Sequence, residues 1–305
     1  MPPTVAPPVE EEPGLLKALP PDNGLYIGAY SEDQPAWERF PALRWGRSND
    51  VPPAIYHWYQ HWEGGETEFQ ADWARAAARS GAIPMITWEP WNKPPGKVHS
   101  SDQPRFTLKS ISRGDHDEYI RSWAADVAAY RGPIYLRTMH EMNGNWYPWS
   151  IHVNGNSIED YIPAWRHIHG IFTEEGATNV SWIWAVNPFY QLSWNDAAGN
   201  RIDYTDDIGG AKADKARISR FYPGDKYVDW TSFTAFNWAG RTPNSSWREP
   251  NNVIDRVYAA VDRFRKPVMI SEVATAGPID ERQRWMDRLF DELPARHPSV
   301  KAVVW

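Results

Sequence analysis

The sequence predicts a closed (β/α)8 barrel, and three observations support this fold class. Along the 305 residues, short apolar segments of strand length alternate with longer amphipathic segments of helical periodicity. Such alternation indicates parallel strands joined by crossover helices. Eight strand segments in roughly 280 residues fit a closed barrel better than an open doubly wound sheet. No glycine-rich phosphate fingerprint follows the first strand segment, which also argues against the open sheet.

Eight strand candidates follow one another along the chain. They are L-Y-I-G-A-Y near residue 25, A-I-Y-H-W-Y near 54, I-P-M-I-T-W near 83, I-Y-L-R-T-M-H near 134, V-S-W-I-W-A-V near 180, V-D-W-T-S-F-T-A-F near 228, P-V-M-I-S-E-V near 267 and V-K-A-V-V-W at the end. The eighth candidate finishes at Trp305, so the helix expected after it is absent from this sequence. We therefore predict that the barrel spans residues 21–305.

Five helix candidates lie between the strands. Two of them, F-Q-A-D-W-A-R-A-A-A-R-S-G and D-E-Y-I-R-S-W-A-A-D-V-A-A-Y-R-G, end on Gly81 and Gly132, and glycine readily adopts the left-handed conformation that ends a helix. The other three are Y-I-P-A-W-R-H-I-H-G-I-F-T-E-E-G, N-V-I-D-R-V-Y-A-A-V-D-R-F and D-E-R-Q-R-W-M-D-R-L-F-D-E-L. All five follow helical spacing of apolar residues.

Residues 1–20 are predicted to be a linker. Their opening, M-P-P-T-V-A-P-P-V-E-E-E-P, is rich in proline and glutamate and lacks the apolar stretch of a signal peptide. The whole chain contains no cysteine, which excludes disulfides, thiolate metal sites and a cysteine nucleophile. No apolar run is long enough to span a bilayer.

Charge and aromatic content narrow the choice of partner. The net charge is −7 and no basic block is present, which argues against nucleic acids and anionic membranes. Nineteen tryptophans and fourteen tyrosines exceed what a core needs. Tryptophan joins a large apolar face to one N–H donor, and such a surface suits sugar rings, which have C–H faces and hydroxyl rims. The composition thus indicates a carbohydrate ligand, with an aromatic-rich core as the alternative.

Two glutamates are candidates for a catalytic pair. Glu141 ends the fourth strand candidate and Glu272, in M-I-S-E-V-A-T, ends the seventh. Active sites of such barrels lie where the strands end, so both side chains would project from the same rim. Glycosidic hydrolysis needs two facing carboxyl groups whose pKa values differ, one acting as a proton donor and the other as a nucleophile. A structural ion pair with Arg137, which strand parity places inside the barrel, is the alternative for either glutamate.

The segment R-T-M-H-E-M-N-G-N-W-Y-P-W surrounds the first glutamate with polar and aromatic groups. His140 and Asn143 can hydrogen-bond sugar hydroxyls or orient a carboxyl group, and Trp146 and Trp149 can stack on sugar rings. A zinc-binding helix would need a second histidine where Gly144 stands. Acidic residues elsewhere lack calcium-loop spacing. We therefore predict no metal and no cofactor.

This segment, together with I-S-E-V-A-T, resembles glycoside hydrolase family 26, a clan A family of retaining β-glycanases. The resemblance runs from about Tyr26 onward, and P-M-I-T-W-E-P-W, A-W-R-H-I-H-G-I-F and Y-V-D-W also fit the family pattern. It implies that Glu141 is the general acid/base and Glu272 the nucleophile of a double displacement through a covalent glycosyl-enzyme. It further implies that His140 contacts the sugar or the nucleophile region and that Trp146 lines the subsites.

Two departures from the family pattern bear on the substrate. Related enzymes often have a tyrosine at the end of strand six that donates a hydrogen bond to the nucleophile, and the matching position in T-S-F-T-A-F-N-W is Phe236. The histidine-containing segment associated with mannanases is replaced by T-W-E-P-W-N. With W-Y-P-W, these features resemble members that cleave mixed-linkage β-1,3-1,4-glucan. An endo-β-1,4-mannanase and a catalytically weak carbohydrate-binding protein are the alternatives.

Further side chains at strand ends complete the predicted substrate site. They are Trp88, Glu89 and Trp91 after the third strand, Phe236 and Trp238 after the sixth, and Trp305 as an aromatic platform after the eighth. A core position is the alternative for the group at the third strand. His57, Tyr59, Trp184 and Asn187 stay undecided between the substrate site and a structural role.

The partner that these predictions imply is a β-linked polysaccharide. We expect a monomeric, extracellular enzyme whose signal peptide is not part of this sequence.

Overall fold

The computed structural model describes residues 16–30, 53–92, 101–151, 153–188, 193–195, 201–203, 218–241 and 245–305. Eight parallel strands close into a barrel, which confirms the predicted fold class. They are β1 (Tyr26–Tyr30), β2 (Ile55–Glu63), β3 (Ile83–Asn92), β4 (Ile134–Thr138), β5 (Val180–Val186), β6 (Trp230–Asn237), β7 (Val268–Thr275) and β8 (Val300–Val304). Each strand pairs with its neighbours in sequence, and β8 closes on β1. Two short antiparallel strands, Ser193–Asn195 and Arg201–Asp203, pair only with each other.

Helices join consecutive strands in the described ranges. They are α1 (Ala71–Arg79), α2 (Leu108–Arg113), α3 (Asp117–Tyr130), α4 (Ile158–Glu174), α5 (Pro250–Val261) and α6 (Ile279–Arg296), with 3₁₀ turns at Pro104–Phe106, Asp225–Tyr227 and Asp262–Phe264. All five predicted helices are present, and the short α2 was not predicted. None of the helices in these ranges is long and apolar enough to cross a membrane.

Local signals explain where the helices begin and end. Ser157 and Asp160 form a reciprocal capping box at the start of α4, which satisfies two backbone donors there. Gly81 follows α1 with φ 86°, as the sequence predicts. After α3, however, the left-handed residue is Arg131 rather than Gly132. Glycine at position 132 is favoured by lack of space, because a Cβ there would lie only 2.7 Å from the Tyr130 ring.

Two apolar layers flank the barrel wall. Outward side chains of the strands pack against the helices in one extensive core. A second, separate cluster contains residues from β2 through β8, which places it inside the barrel. We call it the basal cluster, and its members are Ala18, Ile55, Met85, Tyr135, Ile183, Trp230, Met269, Ala302 and Val304. It fills the barrel at the end where the strands begin, as expected for a packed interior.

A short segment before the first strand covers the basal cluster. The carbonyl oxygen of Ala18 accepts a hydrogen bond from Ser181 Oγ at 2.8 Å, and that of Leu19 accepts one from the Tyr135 hydroxyl at 3.3 Å. Lys17 pairs with Asp229 at 2.9 Å. Most of the predicted linker, residues 1–15, lies outside the described residues, while its last part contacts the barrel ahead of residue 21.

Candidate active site

The inward face of the barrel becomes polar toward the ends of the strands. Successive side chains of a strand point to opposite faces, so residues two apart share a side. On β3, Thr87 follows the basal Met85 by two residues, and on β4 Arg137 follows the basal Tyr135 in the same way. Arg137 is fully buried and donates through Nε to Thr87 Oγ1 at 2.8 Å. The predicted inward orientation of Arg137 is thereby confirmed.

Arg137 holds Glu272 at the barrel mouth. Its Nη2 lies 2.5 Å from Glu272 Oε1, and its Nη1 donates to Ser271 Oγ at 3.0 Å. The Glu272 side chain is 19% exposed, so it is open to a ligand even while paired. A charge-assisted hydrogen bond of this kind is shorter and stronger than a neutral one, and it fixes the orientation of the carboxyl group. The ion pair with Arg137, which the sequence analysis gives as the alternative for Glu272, is therefore present. The paired carboxylate still faces the mouth.

A register irregularity in β7 brings Glu272 inside. Phe233 of β6 pairs with Ile270, but the next residue, Thr234, pairs with Glu272, so β7 contains one extra residue at Ser271. Such a bulge redirects the side chains that follow it, and bulges are common at barrel rims next to active sites. As a result, the consecutive Ser271 and Glu272 both reach Arg137.

The chain after β4 brings Glu141 to the opposite side of the mouth. Met139 and Glu141 have φ values of 43° and 52°, a left-handed conformation that non-glycine residues adopt mainly at constrained, functional positions. The amide of Glu141 donates to the Ala185 carbonyl at 2.9 Å and so anchors the turn to β5. The Glu141 carboxyl accepts hydrogen bonds from Thr234 Oγ1 at 2.5 Å and from Trp146 Nε1 at 2.9 Å.

The surroundings of Glu141 raise its pKa. Burial is the largest cause, and the negative charge of Glu272 adds to it. Hydrogen bonds from Thr234 and Asn187 and the charge of Arg137 act in the opposite direction without cancelling the rise. Glu141 thus favours the protonated form, whereas Glu272 sits against a buried guanidinium. Two carboxyl groups in opposite environments are the arrangement that acid/base and nucleophile roles need.

A buried polar layer lies beneath the mouth. His140 Nε2 is 2.9 Å from the Tyr147 hydroxyl and 3.9 Å from Glu89 Oε1. Glu89 Oε2 lies 2.9 Å from His61 Nε2 and accepts a hydrogen bond from Trp91 Nε1 at 3.1 Å. Burial, with help from the charge of Arg137, lowers the pKa of His140 well below its usual value. His140 is therefore neutral at ordinary pH.

Trp88 is not part of the mouth, and the predicted substrate contact at this residue is wrong. Thr87 faces the barrel interior, so alternation along β3 turns Trp88 outward toward the helices. Trp88 is fully buried, stacks on Trp123 of α3 with ring centroids 4.6 Å apart, and donates from Nε1 to the Tyr119 hydroxyl. Trp184 on β5 is buried in the same outer layer.

Several other predicted contacts lie too deep to touch a ligand directly. His140, Trp91 and Glu89 are only 1%, 2% and 3% exposed, so they shape the mouth from below. Trp149 is fully buried and donates to the His140 carbonyl at 2.7 Å instead of presenting a ring to solvent. We therefore correct the predicted direct contact with a sugar for these four residues. They support the residues that lie above them.

Asn143 has a bracing function. Its Nδ2 donates to the Asn187 carbonyl at 2.9 Å, and its Oδ1 accepts from the Asn187 amide at 2.9 Å. This pair of bonds ties the loop after β4 to the loop after β5. The amide of Asn143, predicted to bind a sugar hydroxyl, is therefore engaged by the backbone of Asn187, whose side chain in turn hydrogen-bonds Glu141.

Several of the aromatic rings that the sequence predicts as substrate contacts lie at the rim of the mouth. Trp238 and Trp305 are 46% and 45% exposed, and Phe236 and Trp146 are partly exposed. Phe236 and Trp238 form an edge-to-face pair with centroids 5.3 Å apart. Tyr30 at the end of β1 adds a further exposed ring that was not predicted. Rings in this setting offer the apolar faces on which sugars stack.

Sequence reasoning missed one residue at the mouth, Thr234, and left a second, Tyr59, undecided between the substrate site and a structural role. Tyr59 on β2 is hydrogen-bonded to Glu272, and Arg137 Nη2 donates to its hydroxyl at 3.2 Å. Thr234 on β6 binds Glu141. A usable signal existed for Tyr59, because it lies two residues after His57, which is buried inside the barrel against Thr87. Thr234 lies two residues before Phe236, and strand parity alone would have placed it on the inward face.

No metal centre emerges from this geometry. Within the described ranges, no three histidine, aspartate or glutamate side chains are arranged to hold a metal ion. The chemistry available at the mouth is therefore that of two carboxyl groups, a buried arginine, neutral histidines and aromatic rings.

Comparison with known proteins places this site in context. The family model described as "Glycosyl hydrolase family 26" matches residues 47–283. Endoglucanase H of Acetivibrio thermocellus is 35% identical over 293 residues, which cover 93% of this chain and 28% of that protein. The beta-1,3-xylanase TXYA of a Vibrio species is 22% identical over 201 residues, which cover 64% of this chain and 34% of that protein. The chain thus spans about a third or less of these relatives.

The similarity extends to solved structures. A GH26 beta-mannanase from Bacteroides ovatus superposes with a TM-score of 0.62 at 17% identity, covering 92% of this chain and 80% of that one. An endo-beta-1,4-mannanase double mutant from Cellulomonas fimi superposes with a TM-score of 0.64 at 16% identity, covering 92% and 64%. At such low identity, these structures support the fold.

Proposed function

This chain belongs to glycosyl hydrolase family 26, and from that premise we propose that it is a retaining, endo-acting β-glycan hydrolase. The family match confirms the resemblance noted in the sequence. The observation that carries the proposal is the contrast between the two mouth glutamates. Burial raises the pKa of Glu141, while Glu272 is paired with Arg137 and partly exposed at the mouth. A proton donor and an ionised nucleophile are the two groups that double displacement needs.

In the first half of the reaction, Glu141 gives its proton to the glycosidic oxygen as that bond breaks. Glu272 Oε forms a bond to the anomeric carbon, which yields a covalent glycosyl-enzyme and a free leaving-group alcohol. Glu141 is now a carboxylate and takes a proton from water. The water oxygen attacks the anomeric carbon, and the bond to Glu272 breaks. Both glutamates return to their initial states.

The substrate that we propose is mixed-linkage β-1,3-1,4-glucan. Support comes from the relative named an endoglucanase, at 35% identity across nearly the whole chain. A second line of support is the T-W-E-P-W-N segment, whose Glu89 and Trp91 form part of the buried layer under the mouth. The alternative is an endo-β-1,4-mannanase, which is favoured by a mannan endo-1,4-beta-mannosidase that is 24% identical over 46% of the chain.

An activity panel tests the choice of substrate. We would measure kcat/KM on barley β-glucan, lichenan, galactomannan, glucomannan, carboxymethylcellulose and xylan under one set of conditions. We expect the mixed-linkage glucans to be cleaved best. A tenfold preference for galactomannan, or about 1.4 kcal/mol of transition-state binding, would select the mannanase instead. Absence of new reducing ends on every polymer would select a carbohydrate-binding protein that lacks turnover.

Separate variants test the roles of the two glutamates. Glu272→Ala should abolish turnover, because no glycosyl-enzyme can form. Glu141→Ala should lose activity on polysaccharide but keep more of it on activated aryl glycosides, whose leaving groups need no proton. Equal loss on both substrates would contradict the acid/base role. Proton NMR of the first product should show the retained anomer, and an inverted anomer would rule out double displacement.

The proposed substrate also bears on location. A polymeric glycan does not cross a membrane, so the enzyme must meet it outside the cell, and we propose an extracellular location for that reason. The monomeric state remains a prediction, which size-exclusion chromatography with light scattering would test.

A further inference from the structure

Tyr59 lies on the inward face of β2, directly against the nucleophile candidate. Its side chain is hydrogen-bonded to Glu272, and its hydroxyl is 3.2 Å from Arg137 Nη2. The ring is further fixed by His57 and Tyr30, with centroids 4.8 and 5.2 Å away. Contacts on several sides leave the hydroxyl little freedom to turn away.

The hydrogen bonds of this hydroxyl can be assigned by counting donors. A guanidinium can only donate, so the bond from Arg137 uses a lone pair of the Tyr59 oxygen. The phenol has a single proton, and the carboxylate of Glu272 can only accept when ionised. The bond between Tyr59 and Glu272 therefore runs from the hydroxyl to the carboxylate. Burial raises the pKa of Tyr59 well above its usual value, so this proton stays on the phenol throughout the neutral range.

We propose that Tyr59 is a positioning residue that holds Glu272, through its hydroxyl, in the ionised and correctly oriented state for attack. This inference rests on the proposed function, because it assumes that Glu272 is the nucleophile. Strand β6 supplies no such donor, since Phe236 has no hydroxyl and the Thr234 hydroxyl donates to Glu141. At this mouth the neutral O–H donor to the nucleophile thus comes from β2, and Arg137 provides the charged one.

The proposal predicts a specific kinetic signature. When Glu272 attacks, its carboxylate loses negative charge, and when the glycosyl-enzyme is hydrolysed, the charge returns. A hydrogen-bond donor to this carboxylate stabilises it as the leaving group of the second step. The same donor favours its charged form before the first step. Loss of the donor should therefore lower kcat with little effect on KM. It should also move the acid limb of the kcat/KM profile to higher pH, because a hydrogen-bond donor favours the charged form of its acceptor.

The test compares Tyr59→Phe with a matched control, Tyr119→Phe. Tyr119 also has a partly buried hydroxyl with two hydrogen bonds, which accepts from Trp88 and donates to the Thr67 carbonyl, but it lies outside the barrel. We expect Tyr59→Phe to lower kcat by about tenfold to a hundredfold with KM within about twofold. We expect its acid limb to move up by about one pH unit. The control should lose stability only. An acid limb that is unchanged in Tyr59→Phe would overturn the proposal, even if kcat falls.

A spectroscopic measurement separates this inference from the proposed function. A phenolic proton in a strong hydrogen bond to a carboxylate exchanges slowly and resonates far downfield in proton NMR. We expect such a signal in the wild type and in Tyr119→Phe, and its loss in both Tyr59→Phe and Glu272→Ala. A signal that survives in Glu272→Ala would overturn the hydroxyl-to-carboxylate bond. If the wild type instead cleaves no β-glycan but shows this pattern, the proposed function fails while the bond stands.

Discussion

The base and the mouth of the barrel interior are built from the same strands but have opposite chemistry. At the base, β3, β4 and β7 contribute Met85, Tyr135 and Met269 to an apolar cluster. Two residues further along β3 and β4, the inward face carries Thr87 and Arg137. The comparison teaches that one pleat, about 7 Å along a strand, separates side chains that fill the core from side chains that hold the proposed nucleophile.

The two ends also differ in how well their polar groups are satisfied. At the base, the Ser181 and Tyr135 hydroxyls find backbone acceptors in the segment before β1. Under the mouth, the Nδ1 atoms of His57 and His140 are buried and have no hydrogen-bond partner among the described residues. The polar groups at the base thus hold the covering segment in place, whereas those at the mouth surround the two carboxyl groups. We therefore expect mutations at the base to act on stability and mutations at the mouth to act mainly on catalysis.

The largest effect is expected for Arg137→Met at the mouth. Methionine fills much of the same volume, but four hydrogen bonds disappear and Glu272 loses its partner. Loss of one partner of a buried pair is strongly destabilising, and we expect about 3 kcal/mol less unfolding free energy because Glu272 remains partly hydrated. Activity should fall at least a hundredfold. Urea unfolding and kcat/KM measure both, and retention of activity above a tenth of wild type would contradict this role.

Met269→Ala is the matched change at the base of the same molecule. Met269 is fully buried on β7, three residues before Glu272, and has no polar contact with the mouth. The cavity should lower the unfolding free energy by about 2–5 kcal/mol. Below the lowered melting temperature, however, kcat and its pH profile should match the wild type. A pH profile that shifts with this substitution would show that base and mouth are not independent.

Individual strands show how much of the difference between base and mouth the sequence predicts. Alternation of apolar segments and helices was enough for the barrel, and residue types around Glu141 were enough to identify the mouth. Register irregularities are not visible in residue types, because they arise from how neighbouring strands pair. The extra residue at Ser271, which brings Glu272 inside, could therefore not be predicted, and strict alternation from Met269 would have turned Glu272 outward.

The high tryptophan content was a weak indicator of a carbohydrate site. At least eight tryptophans are fully buried, including Trp88, Trp123 and Trp184 in the layer between barrel and helices. The aromatic-rich core, kept as the alternative, accounts for most of them. In the part of the chain that the structure describes, only a few rings, such as Trp238 and Trp305, are exposed at the mouth. Composition cannot separate these groups, because burial depends on which face of a strand a ring occupies.

A smaller effect, confined to pH dependence, is expected for Thr234→Val. The Thr234 hydroxyl donates to Glu141 and stabilises its ionised form, which opposes the rise in the pKa of Glu141 caused by burial. Without this donor, the pKa of Glu141 rises further. A general acid must be protonated, so activity is lost as pH increases through its pKa. The alkaline limb of kcat/KM should therefore move to higher pH, by up to about one unit. A shift to lower pH would contradict the assignment of Glu141 as the acid.

The smallest expected effect is that of Ser181→Ala, which tests whether the segment before β1 stabilises the base. Ser181 Oγ donates to the Ala18 carbonyl across a large separation in sequence, and both residues are buried. Because alanine is smaller and apolar, the fold should tolerate it, but the Ala18 carbonyl loses its side-chain donor. We expect about 1 kcal/mol less unfolding free energy and no change in kcat or in either limb of the pH profile. Deletion of residues 1–19 should remove this contact and the contacts of Lys17 and Leu19 together, so Ser181→Ala should have almost no further effect in the shortened chain. An undiminished effect there would mean that Ser181 stabilises the barrel through something other than the covering segment.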